Sequence, residues 1–118
     1  MCIFCKIASG EMNTNKILED ESFLAFHDVN PKAPVHILVI PKTHIEKFDD
    51  TPPEVMAQMT TFIKKVANLI GVDKSGYRLI TNNGEDAGQE VAHLHFHILG
   101  GTKLSWQHLQ DTNSKEFI

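Results

Sequence analysis

The chain has 118 residues, a net charge of -4, 42% hydrophobic and 22% charged residues. These values describe one ordinary globular domain with one modest core, and the lack of any Lys/Arg block excludes polymeric nucleic acid as a partner. No apolar run approaches the roughly 20 residues that span a bilayer.

The first residues lack the charged-then-apolar order of a secretory signal. The two cysteines, Cys2 and Cys5, are too few for a disulfide scaffold and imply a reducing, cytoplasmic setting. In chain order, Ile3 to Ala8 reads as a short helix ending near Gly10. Lys16 to Glu19 and Phe23 to Asp28 read as two strands of a hairpin around Asp20-Glu21-Ser22. Asn30-Pro31-Lys32-Ala33-Pro34 is a loop, because the prolines oppose both helix and ladder. His36 to Ile40 is an apolar strand closed by Pro41. A long helix is predicted over Pro52 to Ile70, with Thr51 as N-cap, Glu54 completing a capping box and Gly71 as the stop. Its apolar stripe is Val55, Met56, Met59, Phe62, Ile63, Val66, Ala67 and Ile70, and the methionines in it read as core.

Tyr77 to Thr81 reads as a further strand, and Asn82 to Gln89 as a turn-rich loop leading into Ala92-His93-Leu94-His95-Phe96-His97-Ile98-Leu99. The class expected is α+β with a mainly antiparallel sheet in a single domain over residues 1–118. A period of two puts His93, His95 and His97 on one sheet face and Leu94, Phe96 and Ile98 on the other. Neighbouring histidines would stand about 6.6 Å apart along a strand, which suits three ligands on one ion less well than separate roles, a metal site or a polar sheet face being the alternative to catalysis. That spacing suits one metal ligand, one nucleophile and one phosphate contact. A neutral imidazole attacks phosphorus to give a phospho-histidine, and a neighbouring ring can steady phosphate charge or protonate a leaving group. His95 is the natural nucleophile, having an imidazole on each side.

The segment His93-Leu94-His95-Phe96-His97-Ile98-Leu99 resembles the histidine-triad motif. Phe26-His27-Asp28-Val29, Ala33-Pro34-Val35-His36-Ile37-Leu38-Val39-Ile40-Pro41-Lys42, Gly76-Tyr77-Arg78, Asn82-Asn83-Gly84 and Leu99-Gly100-Gly101 follow the same family's order and spacing. The chain is thus similar to the histidine triad nucleotide-binding proteins, the purine nucleoside phosphoramidases, over roughly residues 3 to 106. The resemblance implies a five-stranded antiparallel sheet with one long helix and a short N-terminal helix, paired into a homodimer. It implies hydrolysis of the P–N bond of adenosine or guanosine 5′-monophosphoramidates, with AMP and GMP as bound products. By position, His95 matches the nucleophile, His97 the phosphate-contacting histidine and His36 the histidine orienting the site. Asp28 matches the acid on the ribose hydroxyls, with Val29 beside the base. Asn82, Gly88 and Gln89 match the phosphate-side loop. No catalytic metal is required.

The same resemblance supplies a structural zinc site. Cys-x-x-Cys alone is a weak signal, but zinc-bearing members use such a pair with two histidines, here Cys2, Cys5, His44 and His93. Three positions depart from the pattern, the first being Ala92, which replaces a common aromatic and bears on local packing rather than on chemistry. Glu90 stands where serine is common, so its backbone N–H rather than its carboxylate is expected at the phosphate. Leu94 replaces the proline of the nucleotidylyltransferase branch, which disfavours transfer to a sugar phosphate. The tail over residues 107–118 is expected to cover a partner's pocket. Hydrolysis of dinucleoside polyphosphates, and a nucleotide-binding module with incidental turnover, are the competing functions.

Overall fold

The computed structural model describes residues 2–106, so the tail over 107–118 lies outside the described residues. Five strands, β1 (Lys16–Glu19), β2 (Phe23–His27), β3 (Val35–Pro41), β4 (Arg78–Ile80) and β5 (Phe96–Gly100), form one sheet in the order β1-β2-β3-β5-β4. Every neighbouring pair is antiparallel. Three helices accompany it: α1 (Ile3–Ser9), α2 (Pro53–Ile70) and α3 (Val72–Ser75). The expected class and architecture are therefore present, and no helix among the described residues is long and apolar enough to cross a membrane.

Alternation along the strands buries the two sheet faces against different helices. Phe23, Ala25, Ile37, Val39, Phe96 and Ile98 pack with Met59, Phe62, Ile63, Val66 and Ala67 of α2. Leu24, Phe26, Leu38 and Ile40 face the other way, onto Phe4 and Ile7 of α1. Both faces are thus apolar at the sheet centre, which is why β3 reads as an unbroken hydrophobic run. The α1 face is covered only in part, because α1 is short. The rest of that face carries the polar residues that matter.

Four sequence expectations need correction. The long helix starts one residue late, with Pro52 in the N-cap position and no side-chain cap. Thr51 does not form the capping box, because its hydroxyl donates to the Lys47 carbonyl at 3.0 Å and closes a short 3-10 turn, Phe48–Asp50. Pro41 is the last residue of β3 rather than its terminator. The regular ladder of β5 begins only at Phe96, so His93 and His95 precede the strand that alternation assigned them to.

Met59 is fully buried between α2 and the sheet. Met59→Ala should lower unfolding stability by about 2–5 kcal/mol, as a large-to-small core change does. Chemical denaturation checks this; a loss below about 1 kcal/mol would mean the core collapses onto the gap.

Candidate active site

Residues 91–95 form no ladder, yet they are held firmly. Leu94 N–H donates to the Ile45 carbonyl at 2.6 Å. The Thr81 hydroxyl donates to the His95 carbonyl at 2.8 Å. His93 Nε2 lies 2.8 Å from the Pro41 carbonyl. These three ties do the work of the missing hydrogen-bond ladder. The side-chain alternation persists through the segment: Leu94 joins the α2 core, while Phe4 of α1 meets the rings of His93 and His95 edge-on at 5.9 and 5.1 Å.

The histidines continue as a row. The rings of His95 and His97 are 5.1 Å apart, as are those of His97 and His36. His97 pairs with Leu38 across the β3–β5 ladder, which sets it on the α1 face with His36. Asp28, just past β2, completes the group. Its Oδ2 lies 3.4 Å from His36 Nε2, and its Oδ1 accepts the Asn30 N–H at 2.8 Å. Val29 beside it is 87% exposed.

Backbone groups assign the ring protons, because a carbonyl only accepts and an amide N–H only donates. His95 Nδ1 lies 2.8 Å from the His93 carbonyl, so Nδ1 carries the hydrogen and Nε2 keeps its lone pair. His36 Nδ1 accepts the Lys32 N–H at 2.9 Å, so the neutral ring carries its hydrogen on Nε2. That hydrogen reaches His97 Nδ1 at 2.9 Å, which leaves the His97 hydrogen on Nε2.

Burial pushes the His97 imidazole down to about 4, with His95 and His36 adding to the effect and Asp28 opposing it. Burial also lowers His36, against the pull of Asp28. The Asp28–His36 contact is therefore a carboxylate beside a neutral ring at neutral pH, not an ion pair. His93 is lowered too, chiefly by burial.

Next to this row, Cys2, Cys5, His44 and His93 bring four ligand atoms within 4.8 Å of one another. Cys2 Sγ lies 3.2 Å and Cys5 Sγ 3.5 Å from His93 Nδ1, and Cys5 Sγ lies 3.2 Å from His44 Nδ1. Tetrahedral bonds of about 2.3 Å to sulfur and about 2.05 Å to nitrogen place such donors about 3.5 Å apart. His93 donates from Nε2 to Pro41, so Nδ1 turns its lone pair toward both sulfurs. The donor set and the tautomer fit a tetrahedral zinc ion. Cys2 also caps α1, its Sγ accepting the Cys5 N–H at 3.3 Å.

The loop from Asn82 to Glu90 is shaped by Gln89. Its side chain accepts the Gly84 N–H at 2.9 Å and donates to the carbonyls of Glu46 and Val91 at 2.8 and 3.0 Å. The Gly88 and Gln89 amides are used inside the loop, on Glu85 and Gly84. The Glu90 amide forms no hydrogen bond among the described residues, and its side chain is exposed. Asn83 accepts the Asp49 N–H at 2.9 Å, whereas the Asn82 side chain is half-buried with no partner among the described residues. Sequence reasoning missed Lys32, Thr81 and the carbonyls of Pro41 and Ile45. Three of these act through the main chain, which leaves no mark in residue type.

A five-stranded antiparallel sheet with a row of imidazoles on the face that carries α1 defines the class of protein. Residues 9–104 match the HIT domain model, and the chain belongs to that family. It is 57% identical over 103 residues to an uncharacterised HIT-like protein of Helicobacter pylori, covering 87% of this chain and 99% of that one. A HIT family hydrolase from Legionella pneumophila has a similar structure, with a TM-score of 0.87 at 43% identity, covering 91% of this chain and 98% of that one. A histidine triad nucleotide-binding protein from Candida albicans gives a TM-score of 0.79 at 31% identity, covering 99% and 90%.

The lowered imidazoles carry a stability consequence. Unfolded His97 binds a proton near pH ~6.5, whereas the folded ring resists it until about pH 4. The unfolded chain therefore holds more protons between those values, and stability falls as pH drops from 7 toward 4. Denaturation midpoints at several pH values should show a shallower fall in His97→Asn than in the wild type. Equal slopes would show that His97 is not held neutral.

Proposed function

We propose that this protein is a hydrolase of purine nucleoside 5′-monophosphoramidates, acting through a nucleotidyl-histidine on His95. The observation that carries the reading is the His95 ring, whose Nδ1–H is tied to the His93 carbonyl so that Nε2 offers its lone pair. In this reading Asp28 receives the ribose hydroxyls and Val29 borders the base. The phosphate sits among His95, His97 Nε2–H, Asn82 and the free Glu90 amide. Gly88 and Gln89 then serve by shaping the loop, since their own amides are already engaged.

Chemistry follows from those positions. His95 Nε2 attacks phosphorus, the P–N bond to the leaving group breaks, and the nitrogen departs as neutral amine after taking one proton from solvent water. The imidazolium so formed keeps its Nδ1–H on the His93 carbonyl, which stabilises the positive ring. Neutral His97, oriented by His36, donates to a non-bridging oxygen as charge builds there. Water then attacks the nucleotidyl-histidine, returning His95 and releasing the nucleoside monophosphate. Backbone and imidazole donors suffice for these steps.

Cys2, Cys5, His44 and His93 would hold a structural zinc ion in the same reading. Zinc there would clamp α1 and the loop bearing His44 against residue 93 and so steady the carbonyl that His95 uses. The functional unit is taken as a cytoplasmic homodimer. Leu69 of α2 and Leu79 of β4, the sheet's edge strand, are 59% and 45% exposed and offer apolar surface to a second copy.

His95→Ala should reduce turnover of adenosine 5′-phosphoramidate by at least about a thousandfold, while AMP binding by calorimetry stays within a few-fold. Rapid acid or base quench of the wild type should trap label on His95. Persisting turnover in the variant would remove His95 as nucleophile, and faster cleavage of diadenosine polyphosphates than of the phosphoramidate would reassign the substrate.

Untagged protein should contain about one zinc ion per chain, and Cys5→Ser should lose most of it. Chelation should lower the melting temperature and reduce kcat more than it raises KM. Less than about a tenth of an equivalent of zinc in untagged protein would refute the site.

A further inference from the structure

We propose that the backbone amide of Lys32 is a positioning group for the histidine pair, because its N–H on His36 Nδ1 places the His36 proton on Nε2 and thereby the His97 proton on Nε2. The catalytic half of this statement rests on the phosphoramidase reading; the tautomer half does not.

The segment from Asp28 to His36 is wound around the His36 ring. Asp28 N–H donates to the His36 carbonyl at 3.0 Å, Asn30 N–H to Asp28 Oδ1 at 2.8 Å, and Lys32 N–H to His36 Nδ1 at 2.9 Å. Pro31 and Pro34 flank Lys32 and bring no N–H of their own. The amide is a donor at every accessible pH, so a hydrogen on His36 Nδ1 would face another hydrogen. The opposite side of the ring agrees. Nε2 faces two groups that accept, His97 Nδ1 at 2.9 Å and Asp28 Oδ2 at 3.4 Å. The reversed chain, with His97 donating from Nδ1, would set the His36 Nε2 lone pair against the Asp28 carboxylate. It would also leave two hydrogens facing each other at Lys32. Both ends of the ring thus select the same tautomer. The Lys32 side chain is not needed for this; its Nζ only reaches the Asn30 carbonyl at 3.3 Å.

The charged and titratable groups around His36 are Asp28, Lys32 and His97. Two of them, Asp28 and His97, lie at Nε2, and the Lys32 amide is at Nδ1. No other element contributes a donor to the Nδ1 side among the described residues. The amide is therefore the single group that decides between the two neutral forms from that side. Its effect passes through His36 to the atom of His97 that would meet the phosphate.

The test compares Lys32→Ala, which keeps the amide, with Lys32→Pro, which removes it. Ring-nitrogen NMR of 15N-histidine-labelled protein at pH 7.5, without substrate, reads the tautomers. Wild type and K32A should show His36 and His97 each bare at Nδ1 and protonated at Nε2. K32P should show a population of both rings protonated at Nδ1, and kcat for adenosine 5′-phosphoramidate should fall at least about tenfold below K32A with a smaller change in KM. A wild-type His36 protonated at Nδ1, or a K32P protein with unchanged tautomers and kcat, would overturn the proposal. If K32P does not fold, His36→Gln and His36→Ala replace it. The glutamine amide donates from the Nε2 position, so H36Q should keep the His97 tautomer that H36A loses; the same His97 signal in both would overturn it. A wild type without phosphoramidate turnover would sink the functional reading instead, and the NMR arm would still decide the tautomers.

Discussion

A buried imidazole must have both nitrogens accounted for, and in this protein the main chain accounts for one nitrogen on each of three. The Lys32 amide takes His36 Nδ1, the His93 carbonyl takes His95 Nδ1, and the Pro41 carbonyl takes His93 Nε2. Each bond fixes a tautomer and each tautomer fixes what the other nitrogen can do. His93 is left with a lone pair toward two sulfurs, His95 with Nε2 as its unengaged nitrogen among the described residues, and His36 with a hydrogen for His97. One residue type thereby presents a lone pair at two rings and a hydrogen at the third. Burial favours the neutral form of His36, His93 and His97, so their proton placement survives at neutral pH.

The departure from regular strand at residues 91–95 belongs to the same constraint. In a continuous ladder the His93 carbonyl would pair with a neighbouring strand. Here it is free to accept from the ring two residues on. The cost is a segment with no ladder, offset by Thr81, Ile45 and Pro41, which tie it from three sides. His95 on such a segment is held by side-chain and main-chain ties instead of by a ladder. The strand proper begins one residue later, where Phe96 joins the α2 core.

Much of this was legible in the amino-acid order. Alternation separated Leu94, Phe96 and Ile98 from the histidines, and the helical stripe from Val55 to Ile70 picked out the residues that pack on the sheet. Cys2, Cys5, His44 and His93 were gathered by resemblance, and the fold brings them together. Legibility stopped where the main chain acts. Nothing about lysine announces that residue 32 matters through its amide. Gln89 was read as part of a phosphate loop, but its side-chain hydrogen bonds all go to the backbone of Gly84, Glu46 and Val91. Thr51 matched a capping pattern, yet a nearer acceptor, the Lys47 carbonyl, claimed its hydroxyl. In each case residue type gave the capacity for a bond, and three-dimensional proximity chose the partner.

The described residues hold two clusters with metal-binding residue types, and proton placement separates them. Asp28, His36 and His97 bring one carboxylate and two ring nitrogens as close together as the four donors of the thiol cluster. Closeness alone would rank them equally. The Lys32 amide, however, leaves His36 with a hydrogen on the nitrogen facing Asp28 and His97, and a ring nitrogen bearing hydrogen offers no lone pair. A cation there would have to displace that proton and leave His36 Nδ1–H opposed to an amide N–H. At the thiol cluster the Pro41 carbonyl works in the other direction, drawing the His93 hydrogen away and turning its lone pair inward. Two backbone groups of opposite polarity, one donor and one acceptor, thus leave one histidine cluster with a hydrogen between its rings and the other with a lone pair turned toward its thiols.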